Sequence, residues 1–167
     1  MSLLFGDDFK GQTSLQGKAW TFSKLFYQNI TITSAENLSL PATTLVSSCY
    51  YNMFNGCSNL VYAPKVLPAM TLANASNCYS SMFQGCSSLV TVPVLPATTL
   101  ANASQCYDSM FSDCTNLVYA PKVLPAETLV ESCYSNMFSG CSSLVTAPEL
   151  PAMTLAMECY RNMFQGC

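Results

Sequence analysis

One phrase of nine residues, C-Y-x-x-M-F-x-G-C, occurs five times in the chain, at 49–57, 78–86, 106–114, 133–141 and 159–167. The frame keeps its length in every copy, and all ten cysteines lie inside it. One copy replaces the glycine with Asp113. A fixed frame repeated at intervals of fewer than thirty residues specifies a stacked array, in which each unit buries its apolar face against its neighbours.

A sixth, degenerate copy stands at 21–29, with Thr21 and Asn29 in the cysteine positions and Leu25-Phe26 in place of Met-Phe. Terminal units of an array deviate because one of their faces meets water. Residues 1–37 therefore read as an irregular N-terminal cap that includes this copy, and 38–167 as the regular repeat region. Met53, Met82, Met110, Met137 and Met163 follow one another at 29, 28, 27 and 26 residues. The drift has two sources. A-P-K-V-L-P carries one residue more than V-P-V-L-P or A-P-E-L-P, and the links at 73–77 and 101–105 carry two extra. Variation confined to two corners fits insertions in surface loops, where they cost little.

Within each unit, Leu60-Val61-Tyr62-Ala63 and its equivalents predict a short strand, ended by Pro64, Pro93, Pro121 or Pro148, because proline cannot donate to a ladder. L-P-A-x-T-L predicts a second short extended piece. The phrase itself predicts about one and a half helical turns: Cys106, Tyr107, Met110 and Phe111 share a face, Ser104 caps the start, and glycine supplies a left-handed stop. The fold expected from these elements is a repeat solenoid, a coil with short parallel strands and short helical turns.

Half of the residues are hydrophobic and 9% are charged, with no apolar run of membrane-spanning length. A net charge of −3, with six scattered basic residues, argues against nucleic acid, whose phosphates require clustered cations. MSLLFGDDFK lacks the basic and apolar regions of a signal peptide, and Gly6-Asp7-Asp8 reads as a turn. Earlier copies of the phrase are followed by a further strand, whereas the last one ends at Cys167. The chain is therefore expected to be a piece of a longer protein, with an uncapped final unit prone to self-association.

The cysteines raise disulfide and metal readings. Along a helix the two cysteines of one phrase stand ~10 Å apart, beyond the roughly 7 Å that a bridge allows unless the glycine turn folds the second back. Stacking about 4.8 Å apart permits bridges between units, yet each column holds five cysteines, an odd number. Buried, reduced thiols are the favoured reading, although loss of both cysteines together in the degenerate copy also fits a bridge. There is no histidine and no C-x-x-C pair, so neither a metal site nor an activated thiol is expected, and no cofactor is implied. Asp7-Asp8, and Asp108 with Asp113, read as a turn and as solvated flanks rather than acid-base pairs. An enzyme is not expected.

The clearest binding signal is an alternation. Two units read Tyr62-Ala63-Pro64-Lys65 and Tyr119-Ala120-Pro121-Lys122, and the unit between them reads Thr91-Val92-Pro93-Val94. Stacking at about 4.8 Å puts the two Tyr-Lys pairs about 10 Å apart on one edge. Tyr62, Lys65, Tyr119 and Lys122 are the candidate binding residues, suited to stacking on a sugar ring or meeting an acidic group. The plainer alternative is duplication two units at a time, with each tyrosine covering its neighbours.

Through the phrase and the L-P-A-x-T-L link, residues 21–167 resemble the BspA-like leucine-rich-repeat surface proteins of bacteria. The resemblance implies a parallel, right-handed solenoid on a secreted or cell-surface protein that attaches to host or neighbouring-cell protein or glycan. It supplies no catalytic residues. The units here, at 26–29 residues, are longer than the commoner form of that family. Two alternatives stand beside adhesion: a passive stalk or scaffold, which near-identity of the units favours, and a repeat segment of a phage receptor-binding protein.

Overall fold

The computed structural model of the protein describes residues 11–167; the Gly6-Asp7-Asp8 turn, the Asp7-Asp8 pair and the start of the expected cap lie outside them. No α-helix and no continuous β-strand occurs among the described residues. The expected helical turns are the main point of difference. Each phrase is instead an unbroken series of tight turns, and the expected strands are isolated parallel bridges between successive units.

The hydrogen bonds explain this backbone. In the copy at 49–57, alternate amides turn inward: Tyr51, Met53, Asn55 and Cys57 each donate to the carbonyl three residues back. The intervening amides reach the next copy, with Tyr50 donating to Cys78, Asn52 to Ser80, Phe54 to Met82 and Gly56 to Gln84, at 2.8–3.1 Å. Every fourth residue takes a left-handed conformation to permit this: Ser48 at φ 57°, Asn52 at 55° and Gly56 at 74°. The same register recurs at Asn77, Ser81 and Gly85, and at Gln105, Ser109 and Asp113. Small polar residues and glycine occupy most of these positions, as that conformation favours.

A helix and this ladder of turns place the phrase's apolar side chains on one face in nearly the same way. They differ in period. Cys49, Met53 and Cys57 recur at intervals of four, as do Tyr50 and Phe54. A helix of 3.6 residues per turn rotates the face by about 40° with each such step, so the second cysteine would drift off it. The left-handed residue resets the direction every four residues, and Cys49, Met53 and Cys57 are all fully buried.

Copies of the phrase lie over one another as tiers. Phe26, Phe54, Phe83, Phe111, Phe138 and Phe164 form one column of stacked rings, with centroids 5.1–5.7 Å apart. Phe22, Tyr50, Tyr79, Tyr107, Tyr134 and Tyr160 form a second at 5.4–5.9 Å. Each stacked pair adds roughly 0.5–1.5 kcal/mol beyond the area it buries. The core runs continuously through both columns with the intervening methionines, cysteines and leucines. Within the expected cap, Leu15 donates from its amide to Thr44 and Ser14 bridges Thr44, so this stretch packs as a partial tier of its own.

Candidate functional site

The strips that connect the phrases form the edge carrying the sequence-predicted residues. Tyr62 bridges Ser34 on one side and Thr91 on the other, and Tyr119 bridges Thr146. Both rings are largely in solvent, 44% exposed for Tyr62 and 62% for Tyr119, in contrast with the buried tyrosines of the phrase. The lysines differ from each other. Lys65 pairs with Glu36 at 3.4 Å, an exposed contact of little energetic weight. Lys122 forms no ion pair among the described residues. The two Tyr-Lys pairs share an edge, but no hydrogen bond or ring contact links one pair to the other.

Between those pairs lies a feature that the residue types alone did not reveal. The strip at 58–77 bonds to the strip at 87–105: Leu67 donates to Val94, Val94 to Lys65, Leu72 to Thr99 and Thr98 to Met70. The strip at 115–132 bonds in the same way to that at 142–158, through Leu124 to Glu149, Glu149 to Lys122 and Leu129 to Thr154. From 87–105 to 115–132, by contrast, backbone hydrogen bonds among the described residues cross only at the two ends, from Asn116 to Ser87 and from Gln105 to Glu131. The strips therefore pair as doublets with an open seam between them.

Register marks the seam. Leu67 and Leu72 donate to the strip that follows theirs, whereas the amides of their equivalents Leu95 and Leu100 donate to no backbone carbonyl of the described residues. Within a doublet the bridges Tyr62–Thr91 and Val66–Val94 accommodate the extra residue of the longer corner, which bulges around Lys65. The alternation of A-P-K-V-L-P with V-P-V-L-P matches this pairing, although it does not show which neighbour each strip bonds.

The seam opens as a groove of about 450 Å³ walled by Val92, Pro93, Val94 and Pro96 on one side and Pro121, Lys122, Val123 and Pro125 on the other. It continues toward a second depression of about 430 Å³ between Thr98–Ala101 and Glu127–Val130. The first is mainly apolar, with Lys122 on its wall and Tyr119 close by in sequence. Concave apolar surface with a few polar groups is the usual form of a recognition site.

The cysteines belong to the interior. All ten are free thiols, and every one except Cys167 is buried. In the second column the thiols of Cys86, Cys114 and Cys141 donate to the carbonyls of Phe54, Phe83 and Phe111 in the preceding tier, at 3.1–3.2 Å. Asn29 holds the equivalent position differently, its Oδ1 accepting from the amides of Thr31 and Ile32. Burial pushes the Cys49 and Cys133 thiols up to about 11 and Cys141 to about 12, and drives Cys78, Cys106 and Cys114 well above the ordinary range. Such thiols stay protonated, which removes the nucleophile that thiol chemistry needs. Among the described residues no group of three or more histidine, cysteine or acidic side chains is placed to hold a metal ion.

Asp108 and Asp113 sit in separate hydrogen-bond sets. Asp108 accepts from Ser109 Oγ and Asn136 Nδ2, and Asp113 from Ser112 Oγ. No helix among the described residues is long and apolar enough to cross a membrane. No known protein family, curated protein or solved structure matches the chain.

Proposed function

We propose that the chain is a leucine-rich-repeat-like, right-handed solenoid acting as a non-enzymatic recognition module of a cell-surface or secreted protein. It engages protein or glycan along the strip edge, with the open seam as the seat, Tyr119 and Lys122 beside it, and Tyr62 one strip away. The observation that carries this reading is the seam. The strips on either side of it are joined along their middles by backbone hydrogen bonds to their outer neighbours, whereas this pair leaves an apolar groove between them. Exposed Tyr62, Val94, Tyr119 and Val123 on the same edge add apolar contact area of the kind that interfaces use.

Binding of the chain to an array of glycans and extracellular-matrix proteins tests this directly, alongside a Tyr62→Ala/Tyr119→Ala variant and a Val94→Asp/Val123→Asp variant. Binding that both variants lose supports recognition at the seam. A ligand retained by both variants places recognition elsewhere. Absence of any ligand favours the second reading, a passive stalk, which the near-identity of the repeats supports because a recognition edge usually diversifies its exposed positions.

A further inference from the structure

Near-identical tiers suit a ligand that itself repeats, because an edge that reads equivalent units needs equivalent residues. One column of the strip edge has that form. Ser34, Tyr62, Thr91, Tyr119 and Thr146 occupy the same place in successive strips, and parallel bridges join Ser34 to Tyr62, Tyr62 to Thr91 and Tyr119 to Thr146. All five are exposed. A small hydroxyl residue and an aromatic ring therefore alternate along the edge, whereas the Cys, Met and Phe of the phrase recur in every regular tier.

The period of this column is two tiers. Phe54 and Phe83 stand 5.4 Å apart and Phe83 and Phe111 5.6 Å, with their rings nearly parallel, so equivalent core positions two tiers apart are separated by about 11 Å. Strips bridged at about 4.8 Å set a lower bound of about 10 Å at the edge. Tyr62 and Tyr119 are thus two solvent-facing platforms roughly 10–11 Å apart, with Thr91 between them. Each offers a ring face for stacking and a phenolic hydroxyl for hydrogen bonding. Thr91 Oγ1 accepts from the Ala63 amide, which leaves its hydroxyl hydrogen to donate outward.

We propose that this column is a track for an uncharged, extended β-1,4-linked polysaccharide, with alternate sugar rings stacked on Tyr62 and Tyr119 and the intervening ring over Thr91. The inference rests on the reading of the strip edge as a recognition surface, and it names the ligand of that surface. In such a polymer each ring is turned over relative to the one before, so the same face and the same hydroxyls return at every second ring. Each ring advances the polymer by about the height of one tier. An extended peptide presents the same face about every 6.6 Å and falls out of step with platforms two tiers apart. Charge selects the uncharged class: nine acidic residues against six basic ones give no cationic track, and Lys65, the cation near Tyr62, is held by Glu36. The seam opens beside the track, between the strips of Thr91 and Tyr119.

Calorimetric titration of the full chain with cello- and chito-oligosaccharides of two to six rings tests the track. Affinity should rise by about tenfold or more between the disaccharide and the tetrasaccharide, because three consecutive rings reach both tyrosines and the second contact becomes intramolecular. Tyr62→Ala and Tyr119→Ala should each bring the longer oligosaccharides down to the affinity of the disaccharide. Tyr62→Trp and Tyr119→Trp, which keep a stacking face, should retain the step. Malto-oligosaccharides, whose α-linkage coils the polymer, should show no step. Absence of oligosaccharide binding, affinity independent of length, or a step that both alanine variants leave intact would overturn the inference. Binding of a protein or a collagen-like peptide instead, abolished by Val94→Asp/Val123→Asp, would overturn it while leaving recognition at the seam in place.

Discussion

Gln105 separates the ladder of turns from a helix by the sign of one measurement. Its φ is 56°, its side chain is exposed, and its amide donates to Glu131 in the next tier. The left-handed conformation costs an L-residue about 1–2 kcal/mol that glycine does not incur. Glycine also frees the unfolded chain, which returns about 0.4–1 kcal/mol of that advantage. Gln105→Gly should therefore stabilise the protein by about 0.5–1 kcal/mol. Were the phrase a helix capped by Ser104, Gln105 would be its first residue and the same change would destabilise it by a few tenths of a kcal/mol, because glycine is a poorer helix former than glutamine even there. Gln105→Val sharpens the contrast. A β-branched residue at positive φ is a genuine outlier and should cost about 1 kcal/mol or more, whereas in a helix it would cost only a few tenths. Urea unfolding followed by far-UV circular dichroism resolves these differences as shifts in midpoint at constant slope. A less stable Gln105→Gly variant would refute the turn ladder as the reason for the four-residue period.

Three further outcomes follow from the core. Phe111 is fully buried and stacked on both Phe83 and Phe138, so Phe111→Ala should cost about 3–5 kcal/mol; Phe164, with one ring neighbour and a half-buried side chain, should lose only about 1–2 kcal/mol. Equal losses in urea titrations would show that the ring column is not what holds the tiers together. The Tyr79 hydroxyl is buried without a hydrogen-bond partner, and Phe22 fills the same column, so Tyr79→Phe should raise stability by about 1 kcal/mol; a drop in melting temperature would mean that the hydroxyl has a partner. The protein should also unfold in alkali. Burial raises Cys49 and Cys133 from 9.0 to about 11, so above pH 9 the unfolded chain holds fewer protons than the folded one. Stability is then complete below pH 9 and falls as pH rises toward 11, by up to about 1.4 kcal/mol per pH unit for each such thiol. A flat urea midpoint from pH 8 to 10.5 in reducing buffer would contradict this.

The candidate site was only partly legible. Tyr62, Lys65, Tyr119 and Lys122 stood out in the sequence because they alternate with Thr91 and Val94, and their side chains occupy the strip edge. Lys65 turned out to be engaged with Glu36, a partner from the irregular cap that no repeat pattern points to. The groove between 92–96 and 120–125 was hidden, since A-P-K-V-L-P and V-P-V-L-P describe each strip but not which neighbour it bonds.

Taken by itself, the sequence determined the tier. Apolar positions at four-residue intervals decided which side chains enter the core, because a side chain that recurs in every copy must meet its own equivalents when the copies stack. Tertiary structure decided the backbone. A helix and a turn ladder both bring Cys106, Tyr107, Met110 and Phe111 to one face, and only the acceptors offered by the next tier draw alternate amides out of the helical pattern. The same holds for the seam, which is set by which carbonyl lies opposite which amide, and that register exists only once the tiers are in contact.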